Sequence, residues 1–300
     1  MKRFSFDGPF DLSLTVSCGQ AFRWREEDGY WSAPVNGSVW KVRQIDDTLL
    51  YGGCSEEELI HYFALDLDLD EILSSIDTDP LIHKAITACR GLRICRQPPF
   101  ECLISYICAS CSNIPMIAKR IELLSETFGK QAGGKRFAFP TADVLAEHGM
   151  DEIRCCKTGY RDKFIHEASV YAAENPHWIE RLSAMPYPDA GCELMKLSGI
   201  GPRLQTACCC SDLQNMRHCR LMCGLSGFSE HSILTGTMGR NCRTIQQQSS
   251  EGNISGNLQG MHRNICMQNG KFFQNAGSRC CCLKFCCLKK VTRESARASS

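Results

Sequence analysis

Over the first fifty residues apolar and polar positions alternate at the two-residue period of half-buried strands. The runs are Leu12–Val16, Ala21–Trp24, Tyr30–Val35, Ser38–Val42 and Thr48–Tyr51, separated by turn residues. Asn36-Gly37 is the sharpest hairpin signal, because both central positions of a type I′ turn need positive φ. The period then lengthens. Ser55 and Glu58 have the spacing of a capping box and open a short helix ending near Phe63, and Asp79-Pro80 opens another that Gly91 stops. From Pro99 onward Phe100, Leu103, Ile104, Ile107 and Cys108 share one helical face. Ile114, Ile117, Ile121, Leu124 and Phe128 share another, with Gly129 as the stop. Pro140-Thr141, Tyr160–Ala173 and Asp189–Lys196 predict three more helices. The pattern predicts an α+β chain: a small antiparallel sheet domain over residues 1–92, then an all-helical domain over 93–202.

After Pro202 the periodicity collapses. The last 98 residues hold no Pro, Tyr or Trp, a single Asp (Asp212) and a single Val (Val291), so they offer little apolar surface to offset the entropy of ordering. Composition breaks at the same point. The chain's net charge of +1 hides 29 acidic and 21 basic residues up to Pro202 against 4 and 13 after it. Twelve of the 22 cysteines also lie in this tail, in runs such as Cys208–Cys210, Cys280–Cys282 and Cys286–Cys287. Residues 203–300 are therefore expected to be a disordered, cysteine-rich tail. Its basic balance would bind phosphate only weakly and with strong salt dependence.

Leu197-Ser198-Gly199-Ile200-Gly201-Pro202 lies between one expected helix and the start of another, with Pro202 suited to a first helical turn. By themselves the six residues fit an ordinary glycine turn. They also fit the turn of a helix-hairpin-helix, in which the glycines bring backbone N–H groups and a helix N-terminus against a DNA phosphate. Further segments, in order and at similar spacing, resemble the 8-oxoguanine DNA glycosylase family of the helix-hairpin-helix superfamily. These are Ser17-Cys18-Gly19-Gln20-Ala21-Phe22-Arg23-Trp24, Asp66–Asp70, Gly91–Ile94, Pro99–Ser110, Asn113-Ile114 with Phe128-Gly129, and Gly159-Tyr160-Arg161. The resemblance covers about residues 5–202.

That resemblance implies a base-excision repair enzyme that binds double-stranded DNA, extrudes a damaged purine and cuts its glycosidic bond, with associated abasic-site lyase activity. By the family match, the Gly19 carbonyl would accept the N7 hydrogen that 8-oxoguanine has and guanine lacks. Tyr160 would wedge the opened base pair and Arg161 would meet the orphaned cytosine; the alternative is a packed helix-start Tyr beside a solvated Arg, and the surrounding match favours the functional role. Asn113 would help fill the hole left by the extruded base, and Gly199, Ile200 and Gly201 would hold the phosphate. Two departures bear on the opposite base. Cys111-Ser112 precede Asn113 where the family is asparagine-rich, and Met116 stands at a position usually held by arginine.

The catalytic residues are the largest departure. The family hairpin ends in Gly-x-Lys, whose amine forms a Schiff base, and a later aspartate steadies the cationic sugar. Here the lysine position is Arg203, which stays protonated and forms no imine, and the aspartate position falls at Met222. A single-nucleotide deletion in the lysine codon accounts for both. The family run Lys-Val-Ala-Asp-Cys, encoded AAG GTT GCA GAC TGC, becomes Arg-Leu-Gln-Thr-Ala on losing one A, and the chain reads Arg203-Leu204-Gln205-Thr206-Ala207. Pro-Val-Asp-Val-Trp shifts likewise to the observed Arg220-Leu221-Met222-Cys223-Gly224. The hypothesis that residues 203–300 are out-of-frame translation fails if the alternative frame does not encode those two runs.

The late cysteines lack the spacing that converges on a metal or iron–sulfur cluster, so no metal and no cofactor is expected. The start of the chain shows no secretory apolar region and no stretch is long enough to span a bilayer, which predicts a cytoplasmic protein; with the family resemblance, a monomer associated with the nucleoid is expected. Three alternatives remain open from the sequence: an alkylated-base glycosylase sharing the hairpin, a non-catalytic module for damaged DNA, and a truncated, non-functional product.

Overall fold

The computed structural model describes residues 1–77 and 80–201. The expectations resting on Asp79, Pro202, Arg203, Met222 and the late cysteine runs lie outside the described residues. Within them the chain is α+β. Five strands, β1 (Lys2–Ser5), β2 (Arg25–Glu27), β3 (Tyr30–Val35), β4 (Ser38–Ile45) and β5 (Thr48–Gly52), form an antiparallel sheet in the order β1-β5-β4-β3-β2. The β3–β4 turn is the expected one, with φ of 48° at Asn36 and 81° at Gly37. Alternation sends Ala33, Val35, Trp40, Val42, Leu49 and Tyr51 to one face. They bury there against Tyr62 and Phe63 at the end of α2 (Glu56–Tyr62), whose Ser55–Glu58 capping box forms in full. Each such large side chain contributes roughly 2 kcal/mol by leaving water.

Two expected strands are not strands. Leu12–Val16 lies in a helix, α1 (Leu12–Ser17): Asp11 caps it by accepting from the Leu14 N–H at 2.7 Å, and Leu12, Thr15 and Val16 turn inward at helical spacing. A five-residue apolar run satisfies both periods, and the cap decides between them. Ala21–Trp24 forms no regular element, because tertiary bonds hold this stretch. Gln20 donates to the carbonyls of Thr15 and Arg93 and accepts from the Cys95 N–H, and Gln97 donates to the Gln20 carbonyl. These bonds stitch the α1 turn to the extended segment leading into the helices.

α3 (Leu69–Ile76) and α4 (Pro80–Ala88) pack a second small core with Leu92 and Ile94. The helical body follows: α5 (Pro99–Ala109), α6 (Ile114–Phe128), a hairpin of β6 (Gln131–Gly133) and β7 (Arg136–Phe137), α7 (Ala142–Glu147), α8 (Met150–Ile153), α9 (Asp162–Glu174), α10 (Trp178–Ala184) and α11 (Tyr187–Leu194). Leu103, Ile104, Ile107, Ile117, Ile121, Leu124, Ile165 and Ile200 share its core. The helix expected over Tyr160–Ala173 begins at Asp162, after a kinked turn in which Lys157 takes φ of 61°. That kink sets the direction in which Tyr160 and Arg161 leave the chain.

Candidate nucleic-acid interface

Gly19 follows α1 at φ 90°, half-buried. A Cβ there would stand 2.7 Å from Cδ1 of Ile114. Only glycine combines that backbone with that approach, so the Gly19 turn closes directly on the start of α6. Asn113 stands one residue earlier and N-caps α6, its side chain accepting from the Met116 N–H at 3.0 Å while remaining exposed.

The loop between α5 and α6 is held by two buried arginines. Arg161, 5% exposed, donates from Nε to the Ser110 carbonyl at 3.0 Å, from Nη2 to the same oxygen and to the Cys111 carbonyl at 3.4 Å, and from Nη1 to the Thr158 carbonyl at 3.3 Å. Arg120 donates from Nε to the Lys157 carbonyl at 2.9 Å, and from Nη1 to Ser112 Oγ at 2.6 Å and the Cys108 carbonyl at 3.3 Å. Among the described residues no carboxylate pairs with either guanidinium, so backbone and hydroxyl oxygens carry the compensation. Burial, with the charge of Arg161 next, lowers the Arg120 pKa from its ordinary value, but an arginine keeps its proton at working pH. Beneath them, burial pushes the Cys108 thiol up to about 12, so it packs as an apolar side chain.

Tyr160 projects outward, half exposed, with the Arg161 guanidinium 4.4 Å from its ring centroid. Its ring meets Phe164 edge-on at 6.3 Å. Phe164 lies in turn against Gly199, where a Cβ would approach its ring within 2.7 Å and φ is 84°. Ile200 is buried in the helical core and its N–H bonds the Leu197 carbonyl at 3.2 Å, which anchors the turn while Ser198 and Gly199 stay exposed. Gly201 follows, half-buried. Residues from four separate parts of the chain thus form one continuous line: Gly19, Ile114 and Asn113, the Ser110–Ser112 loop, Arg161 and Tyr160, Phe164, then Gly199.

The sequence pattern left out two members of this line and the arginine beneath it. Ile114 entered only through the Asn113-Ile114 segment and its core stripe, and Phe164 reads as an ordinary core residue. Arg120 did carry a signal, since it falls between Ile117 and Leu124 beside the inward stripe of α6, where a charge needs internal partners. Arg161 is not solvated: the side chain is buried, and its guanidinium makes four contacts to backbone carbonyls.

A second charged group joins the two halves of the described chain. Arg23 lies 3.7 Å from Glu101 on α5 and 3.8 Å from Glu122 on α6, and it donates to the Phe137 carbonyl. Arg25 and Arg136 also approach Glu122, at 3.5 and 3.8 Å. Burial raises the Glu101 carboxyl to about 7 against the opposing pull of Arg23. Among the described residues no cluster of three or more His, Cys, Asp and Glu could hold a metal ion. No described helix is long and apolar enough to cross a membrane.

Residues 5–103 match the family model for the 8-oxoguanine DNA glycosylase N-terminal domain, a span that includes the Gly19 segment and the start of α5. The chain is thus similar to the 8-oxoguanine DNA glycosylases over this span. It is 30% identical over 211 residues to the N-glycosylase/DNA lyase of Arabidopsis thaliana, a match covering 64% of this chain and 58% of that protein. The corresponding figures for the Saccharomyces cerevisiae N-glycosylase/DNA lyase are 26% over 238 residues, with 66% of this chain and 61% of that one covered. The chain therefore spans about three-fifths of the length of these relatives. The 8-oxoguanine glycosylase/lyase of Clostridium acetobutylicum, solved with double-stranded DNA containing cytosine opposite 8-oxoguanine, superposes with a TM-score of 0.71 at 25% identity, over 96% of this chain and 93% of that one.

Proposed function

We propose that the chain is the product of a base-excision repair glycosylase gene, built to bind duplex DNA, extrude an oxidised purine such as 8-oxoguanine and remove it, with associated abasic-site lyase activity. The observation that carries this reading is the contact line from Gly19 to Gly199. It lets one duplex meet a phosphate-holding turn (Gly199, Ile200, Gly201), a half-exposed aromatic wedge (Tyr160) and an exposed asparagine (Asn113) in sequence, with Gly19 at the far end offering its carbonyl to the extruded base. Extrusion is needed because the glycosidic carbon is inaccessible inside the stack. Arg161 would act here chiefly by holding the Ser110–Cys111 loop and stacking on Tyr160, with the opposite base read nearby. The family match at residues 5–103 supports the oxidised-purine branch over the alkylated-base one, because it contains Gly19.

In this reading the sheet domain ends near residue 92 and the helical domain runs to the hairpin at 202. The protein works as a monomer in the cytoplasm, on the nucleoid, without cofactor or metal. Its chemistry is impaired, because Arg203 and Met222 occupy the positions of the Schiff-base lysine and the aspartate. The test pairs a mobility shift with borohydride trapping on a duplex carrying 8-oxoguanine opposite cytosine. We expect a shift in favour of the damaged duplex and no covalent adduct. A trapped adduct would overturn the impairment, and equal affinity for damaged and undamaged duplex would overturn the damage-binding reading.

A further inference from the structure

We propose that Arg120 is a positioning residue that locks the damage-recognition loop to the wedge corner, so that the Ser110–Asn113 loop and Tyr160 enter DNA as one unit. The inference rests on the functional reading above. Arg120 donates its hydrogen bonds to the backbone and loop beneath Tyr160 and Asn113. Its Nε binds the carbonyl of Lys157, the left-handed residue of the kink that aims Tyr160. Its Nη1 binds Ser112 Oγ, one residue before Asn113, and the carbonyl of Cys108 at the last turn of α5. One rigid planar group thus spans three backbone segments that α5, α6 and the kink would otherwise present separately. Arg161 bridges the same two sides through Thr158, Ser110 and Cys111. Two buried like charges with no carboxylate partner among the described residues are a costly arrangement for stability alone, and an apolar pair of similar size would pack there without the electrostatic penalty. What the pair supplies is a fixed distance between loop and wedge. Inserting into a duplex gap requires that distance, because a group displaced by an ångström loses most of the benefit of preorganisation.

The test measures affinity of the full chain for a duplex with a tetrahydrofuran abasic analogue relative to the same undamaged duplex, together with emission of 2-aminopurine opposite the gap, which brightens on unstacking. Arg120→Met is expected to reduce the preference for the abasic duplex about tenfold, the scale of one lost charge-assisted hydrogen bond, and to abolish the brightening. Its affinity for undamaged DNA and its thermal melt should stay close to those of the unaltered chain. Arg120→Lys, which offers a point charge without the fork, should recover only part of the preference. Should Arg120→Met fail to melt cooperatively, Ser112→Ala removes a single hydroxyl and is expected to reduce the preference several-fold. A folded Arg120→Met chain, or in its place a folded Ser112→Ala chain, with full preference and full brightening overturns the proposal. An unaltered chain with no preference for the abasic duplex overturns the functional reading and this proposal together, whereas a variant that matches a selective parent overturns this one alone.

Discussion

Arg161 illustrates how much a side chain's meaning depends on what surrounds it. A guanidinium beside an exposed tyrosine is equally suited to solvent, to a base edge and to backbone carbonyls; here the carbonyls of Ser110, Cys111 and Thr158 take up its donors and the ring of Tyr160 covers one face. Glu101 is the other residue whose environment changes its chemistry. Its carboxyl, raised by burial to about 7, is protonated in the folded chain over a range where the unfolded chain has released its proton. The folded state therefore binds more protons between the ordinary carboxylate pKa and about 7, and stability falls as pH rises through that window. The expected loss is on the order of 3 kcal/mol, with one pKa unit worth about 1.4. Glu101→Gln should flatten the melting temperature between pH 5 and pH 8, read by calorimetry; an unchanged slope would mean that Glu101 is not the group responsible.

At the scale of elements, caps do more than periodicity to set boundaries. Asp11 makes α1 a helix where alternation predicted a strand, Ser55 and Glu58 start α2, and Asn113 starts α6. Asn113 combines that structural task with the exposure expected of a DNA contact. Asn113→Ala should cost about 1 kcal/mol in chemical denaturation through the unpaired Met116 N–H, and it should weaken binding to damaged duplex beyond what the stability loss explains. Equal stability of the two chains in urea would show that the cap is dispensable. The short β6–β7 hairpin lacked a legible pattern, since two- and three-residue strands fall below any window in which a period can be counted.

The whole molecule raises the question of what was lost after Pro202. If the tail is out-of-frame translation, the missing segment took with it the nucleophile, the aspartate and the helix that should follow the hairpin. Restoring the reading frame should then restore borohydride trapping on 8-oxoguanine duplex, while Arg203→Lys in the present chain should not, because the aspartate that steadies the cationic sugar would still be missing. Trapping by the single substitution would show that the tail supports catalysis.

Sequence by itself determined the α+β class, the three central strands, the major helices and the glycine turn at 199–201, because these rest on local periods and on residues with restricted backbones. It also determined the break at residue 202, since composition and the absent lysine need no fold to be seen. Only the tertiary structure decided that Gly19 closes on Ile114, that Phe164 joins Tyr160 to Gly199, and that Arg120 and Arg161 are buried beneath the Ser110–Asn113 loop. The reason is physical. Those contacts join residues far apart in the chain, and a buried polar group takes its role from partners that no local pattern specifies.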